Sequence, residues 1–531
     1  YLHKKGDLEK ARGAYLDAGS YWYPHSAGVL HTFEMQIRQP DGWSSLSQGT
    51  QTADGWRETK AQDDIYLLAG PFTRYESVQG GRTAMVYLQQ ADEALAQTYL
   101  QATHRYLDQY SQMLGDYPYD KFATVESFWE TGWGMPSFTL LGPQVMRLPF
   151  IPYTSFPHEI LHNWWGNSVY IDVSRGNWAE GLTAYLSDHW MQEKRGTGAS
   201  YRRDALQKFS VFTAKGGDFP LSQFRSRHDD TTQAVGYSKS LMVFHMLRER
   251  LGDETFFAGL NRFYADNRFR SASFEDIKDS FETVSGESLE PFFKQWLDRR
   301  GAPSLSLDSV TSQQDGLTVT LSQQAANPYA LQVPVKVTMA DGDEQMLHWP
   351  LDQTLQSFQL KVDAASIAID PDFDLMRIPH PEEIPPSLNS LYAAKTLNLN
   401  SSGASDAQEL VCTEWMRQME EDGVTFVEGS TDGVVTLWIN PTSVGEILNG
   451  KYLQLPDGSF ARQESSAAFA LPEGHDSVIT APDTDALVTL LRKLPHYGKY
   501  SYIALDAKTG KNVAKGQWPV NDSPLFWSAV R

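Results

Sequence analysis

Cysteine is nearly absent, with Cys412 the only one in 531 residues. Disulfide bracing within the chain is therefore excluded, and so is a zinc site built on thiolates. No apolar run is long enough to span a bilayer as a helix. Positive charge is also scarce: 45 Lys and Arg face 66 Asp and Glu, a formal net charge of −21. That balance argues against nucleic acid and anionic membrane surfaces as partners. An initiating Met and a signal peptide are missing too. A chain that opens at Tyr1 reads as a processed, soluble product, exported or envelope-associated with its N-terminal part removed. Compartment and oligomeric state stay open.

What is present centres on Phe156-Pro157-His158-Glu159-Ile160-Leu161-His162-Asn163-Trp164-Trp165-Gly166. Positions i and i+4 share a helix face. His158 and His162 can thus direct two imidazole nitrogens at one zinc ion, with Glu159 alongside to take a proton from water. Thr154 or Ser155 is the expected cap, and Pro157 falls in the first turn, where a missing N–H costs little. Two histidines at this spacing also occur on ordinary helix surfaces. A catalytic zinc takes three protein ligands, and Asn177-Trp178-Ala179-Glu180-Gly181-Leu182-Thr183-Ala184-Tyr185 supplies a carboxylate, Glu180, at the start of a second helix.

Together these stretches resemble the gluzincin metallopeptidases, and specifically the membrane-alanyl-aminopeptidase family, whose signature is H-E-x-x-H, an eighteen-residue gap and N-E-G. The gap here is one residue short, as for a deletion in the loop from Asp172 to Gly176. The resemblance implies one zinc per chain held by His158, His162 and Glu180, with Glu159 as general base and a peptide as substrate. Tyr237, in Ala234-Val235-Gly236-Tyr237-Ser238-Lys239-Ser240, takes the position of the tyrosine that hydrogen-bonds the oxyanion. Asp188 and His189 follow Glu180 on its helix as partners of the ligands or as surface residues.

One motif departs from the family. Its G-x-M-E-N strand carries a glutamate that binds the substrate's α-amine; here Gly132-Trp133-Gly134-Met135-Pro136-Ser137 puts Pro136 in that place. Gly134 and Met135 are then expected on a substrate-binding edge strand, and Glu130 or Glu126 would have to supply the missing carboxylate. Three readings follow: an aminopeptidase-like enzyme, a metallopeptidase of other specificity (an endopeptidase or a tripeptidase), or a non-catalytic peptide-binding module that keeps the fold.

The fold expected is multidomain α+β, with a thermolysin-like catalytic domain at 91–300. A partial N-terminal β-sheet domain (1–90) precedes it, with strands at Tyr21-Trp22-Tyr23-Pro24, His31–Ile37 and Asp64–Phe72 and a charged, helix-prone start to Gly19. An amphipathic helix begins near Asp92 and ends at Gly115. A β-sandwich is expected at 301–385, then a linker rich in Pro, Ser and Asn, then a small α/β domain at 400–531. That last region has no G-x-G-x-x-G and no P-loop, and its basic cluster Arg492, Lys493, His496 and Lys499 reads as solvated surface.

Overall fold

The computed structural model describes residues 13–26, 28–214, 216–313, 315–429, 434–441, 465–471, 476–520 and 523–529. The protein is mixed α+β. It divides into two units, one of Tyr1–Tyr201, Phe219–His228 and Val235–Arg300, the other of Arg202–Asp218, Asp229–Ala234 and Gly301–Arg531. No helix among the described residues is long and apolar enough to cross a membrane.

The first unit is built on a five-stranded sheet of β1 (Thr73–Gln79), β2 (Arg82–Leu88), β3 (Lys121–Glu126), β4 (Gly132–Met135) and β5 (Phe138–Leu141), in the order β4-β5-β3-β2-β1. Strands β2 and β3 are parallel, which demands a long crossover. Helix α1 (Glu93–Leu114) provides it, capped by Asp92, whose carboxylate accepts the N–H of Leu95 at 3.0 Å. The expected stripe faces inward: Tyr99, Thr103, Tyr106 and Tyr110 are all buried. Strand β3, central in the sheet, is buried at every position. Although β1 and β2 precede residue 90, they pair into one sheet with β3 to β5.

The N-terminal strands differ from expectation. His31–Gln36 is a strand with alternating exposure, but Tyr21 to Pro24 is not. Ala18–Ser20 forms a 3-10 turn capped by Asp17, and Tyr21 follows with φ 53°. In Asp64–Phe72 only Leu67–Gly70 is extended. Asp64 instead gathers a turn, accepting from the N–H groups of Ala18 and Ile65 and from the Tyr23 hydroxyl. An aspartate that can collect several donors competes with a ladder. Of the helix-prone start, Ala14–Leu16 is a strand paired with Leu67–Ala69, and residues 1–12 lie outside the described residues.

In the second unit, Ser304–Gln313, Gly316–Gln324 and Leu355–Leu360 form one sheet, and Glu344–Leu351, Leu331–Met339, Ala364–Ile369 and Phe526–Ser528 another. Phe526–Ser528 returns from the far end of the chain, which no local pattern announces. The segment expected as a linker is ordered: Leu388, Leu391 and Leu397 are fully buried, and Thr396–Asn400 lies within a seven-stranded sheet. Four neighbours of that sheet (Thr425–Val427, Thr396–Asn400, Val435–Ile439, Ser477–Thr480) run parallel. The remaining three pairings in the sheet are antiparallel. In the basic cluster, Lys493 donates to the Gly510 carbonyl at 2.6 Å.

Candidate metal centre and active site

Helix α2 (Ser155–Leu161) carries the H-E-x-x-H residues and ends at His162, its C-cap. The expected side-chain cap is absent; the Thr154 hydroxyl donates to Phe150 O instead. Aromatic packing fixes so short a helix. Phe156 meets Tyr99 of α1 edge-on at 4.9 Å and Phe122 of β3 at 6.1 Å, and Trp164 Nε1 donates to Gly115 O at 3.0 Å. The side chains that made α1 amphipathic therefore orient the histidines.

Glu180 lies in α3 (Ala179–Ala184), whose first N–H is accepted by Asn177 Oδ1 at 3.1 Å. After Glu180 comes Gly181, where a Cβ would stand 2.0 Å from Ser240 Oγ. Only glycine allows that approach. The loop from Asp172 to Gly176 forms a 3-10 turn at Val173–Arg175, capped by Asp172.

Glu180 Oε2 is 3.7 Å from His158 Nε2 and 3.7 Å from His162 Nε2. The three donor atoms lie within 4.8 Å of one another, the one such His/Cys/Asp/Glu group among the described residues. The outer nitrogens are engaged as well. His162 Nδ1 is 3.0 Å from Trp165 O. A carbonyl only accepts, so Nδ1 carries the proton and, in the neutral ring, leaves the Nε2 lone pair free. His158 Nδ1 is 3.1 Å from Asp188 Oδ2. Two imidazole nitrogens and a carboxylate oxygen converging within 4.8 Å of one another make a donor set that suits zinc.

Asp188, which the sequence left open as a partner of the ligands or a surface residue, contacts His158. On a regular helix the face of Glu180 recurs at i+4 and i+7, which reaches Ser187. Residues Tyr185–His189 instead form a π-turn, and the extra residue rotates Asp188 onto that face. His189 is fully buried, its ring stacked on Tyr185 at 5.0 Å, so it is no surface residue. A second π-turn, Ala234–Lys239, contains Tyr237. Burial and the neighbouring Glu180, its hydrogen-bond partner, push the Tyr237 hydroxyl far above its ordinary value, so it stays a donor.

Charge at the centre is unevenly distributed. Burial raises Glu159 although both histidines oppose it. In Glu180 burial is outweighed by His162, His158 and Tyr237, which pull it down to about 2. Burial disfavours charge on His158, and Asp188 and Glu180 overcome this and raise it.

Beside Glu159 runs β4, the free edge of the sheet. A Cβ on Gly134 would lie 3.0 Å from Glu159 Oε2, and one on Gly132 3.7 Å from Oε1. Met135, the other strand residue singled out, pairs with Phe138. Pro136 and Ser137 close the two-residue turn between β4 and β5, Ser137 with φ 67°. Proline then a residue at positive φ is the type II pattern, which ordinarily asks for Gly or Asn. Polar contacts hold the serine there: its N–H donates to Asn163 Oδ1 at 2.7 Å, and Lys121 Nζ reaches its Oγ at 2.6 Å. The candidate anchors are committed elsewhere. Glu126 pairs with Arg147 at 2.6 Å and accepts the N–H of Gln89. Glu130 accepts the N–H groups of Gln144 and Val145.

Two histidines and a glutamate from successive helices, with a further glutamate beside an edge strand, resemble the arrangement of the gluzincin metallopeptidases. Residues 154–296 match the peptidase family M1 domain, and the chain is similar in part to curated aminopeptidases. It is 27% identical over 159 residues to "Aminopeptidase 2, mitochondrial" of Saccharomyces cerevisiae, covering 28% of this chain and 16% of the relative. It is 23% identical over 224 residues to "Tricorn protease-interacting factor F2" of Thermoplasma volcanium (39% and 25%). With "Aminopeptidase N" of Lactococcus lactis subsp. lactis it shares 24% identity over 176 residues (32% and 20%). The chain thus spans a quarter or less of the length of these relatives.

Proposed function

We propose that the protein is a zinc-dependent peptidase that hydrolyses peptide bonds at the centre formed by His158, His162 and Glu180. The convergence of their three donor atoms carries the reading. His158, His162 and Glu180 would hold the zinc ion, which when bound would supply Lewis acidity toward the scissile carbonyl and water. Glu159, half-buried and with its carboxyl raised by desolvation, takes the proton of the attacking water and returns it to the leaving amine. Tyr237, held protonated, donates to the oxyanion. Asp188 and Trp165 O keep both imidazoles facing inward. Strand β4, with glycines against Glu159, leaves its edge open to an extended peptide.

A second reading concerns specificity. Pro136–Ser137 holds no charge where the family's amine anchor stands, and Glu126 and Glu130 are both engaged. This favours a metallopeptidase that does not require a free N-terminus. An anchoring carboxylate contributes roughly 1.5–3 kcal/mol, about ten- to a hundredfold in rate preference. Matched free and N-acetylated peptides should therefore be cleaved at rates within about tenfold of each other. A library digest with and without chelator tests both points. No chelator-sensitive cleavage would leave the peptide-binding module, and a hundredfold preference for free termini would require an anchor elsewhere.

A further inference from the structure

On the other edge of the same sheet, β1 and helix α1 line an open cleft of about 400 Å³. That is near the low end of sizes that enclose small-molecule ligands, roughly 300–1,000 Å³. Leu100 and His104, both buried, form its floor. One wall is the exposed row Gln97, Gln101 and Arg105, spaced by four residues along α1. Ser77 of β1 faces them, its Oγ 2.8 Å from His104 Nε2.

The chemistry of this lining is unlike that of the chain as a whole. The protein carries a net charge of −21, yet no carboxylate lines the cleft. Arg105 meets no carboxylate among the described residues; its guanidinium lies 4.8 Å from the Tyr106 ring centroid and 5.2 Å from that of Tyr153. The nearby Asp108 is occupied by Arg82 and Gln79. Burial lowers His104, so its ring is neutral and can donate or accept against Ser77. The result is one guanidinium, three amides (that of Gln79 held by Asp108) and a hydroxyl–imidazole pair beside Leu100. A guanidinium fork matches a carboxylate, and side-chain amides match the N–H and C=O of a ligand amide.

We propose that this cleft is a second binding site, distinct from the metal centre, for a small ligand that joins a carboxylate to an amide, of acylated amino-acid or dipeptide size. Helix α1 separates the two sites, with Tyr99 and Tyr106 against Phe156 of α2 on one face and Gln97, Gln101 and Arg105 on the other. The inference does not depend on the peptidase reading.

The test is isothermal titration calorimetry of the full chain with N-acetylalanine, N-acetylalanine amide and inorganic phosphate, in the presence and absence of chelator. Saturable binding of N-acetylalanine is expected, unchanged by chelator. It should weaken about tenfold or more on loss of the ligand carboxylate or in Arg105→Gln, and measurably in Gln101→Ala. Both substituted residues are exposed, and thermal midpoints check that the variants fold. Absence of saturation, binding abolished by chelator, or equal binding by wild type and Arg105→Gln would overturn the proposal. So would phosphate binding as tightly as N-acetylalanine, which would mark a simple anion contact.

Discussion

At the scale of single residues, the site is governed by which nitrogen and which oxygen faces inward. Glu159→Gln keeps the shape of the side chain and removes its basicity. Zinc content should be retained while kcat falls by roughly two to four orders of magnitude, the range for a lost general base; wild-type turnover would move the base elsewhere. Tyr237→Phe should lower kcat on the order of a hundredfold with KM little changed, as for a lost oxyanion donor. Asp188→Asn acts one step back, through His158. Competition with a fluorescent chelator should show zinc affinity reduced about ten- to a hundredfold, and an unchanged affinity would make the 3.1 Å contact incidental.

At the scale of elements, the β4–β5 hairpin is the distinctive part. Its turn depends on Lys121, which burial drives from an ordinary 10.5 down to about 7 against the opposing pull of Glu58. Below about pH 7 folded and unfolded chains both carry this charge, and its burial penalty is fully present. As pH rises from about 7 toward 10.5 the folded state releases the proton while the unfolded state keeps it, so stability rises. The thermal midpoint of wild type, relative to Lys121→Met, should therefore climb between pH 7 and 9. A flat difference would mean that Lys121 titrates normally. Gly134→Ala places a methyl against Glu159 and His162. Hydrolysis should fall sharply, at a stability cost of about 1–3 kcal/mol for overpacking.

For the whole molecule, the two units bear differently on the chemistry. Every residue of the metal centre belongs to the first unit. Equilibrium dialysis should find one zinc per chain, and saturating zinc should raise the thermal midpoint of wild type, since a ligand that binds only the native state stabilises it. His158→Ala combined with Glu180→Ala should abolish both effects. Zinc retained by that double variant would place the metal on other residues.

The sequence by itself determined the donor types, because H-E-x-x-H and the later glutamate are local spacings on helices that their own periodicity and glycines delimit. It also determined α1, whose aromatic stripe repeats at helical period. Tertiary structure alone decided three things. The π-turn that carries Asp188 to His158 costs one residue of register, and no side-chain pattern marks it. The engagement of Glu126 by Arg147, and of Glu130 by two backbone N–H groups, came from loops folding back, which spacing along a strand does not encode. The turn at Pro136–Ser137 stands because Asn163 and Lys121, distant in sequence, satisfy a serine at positive φ, and only the packed sheet brings those three side chains together.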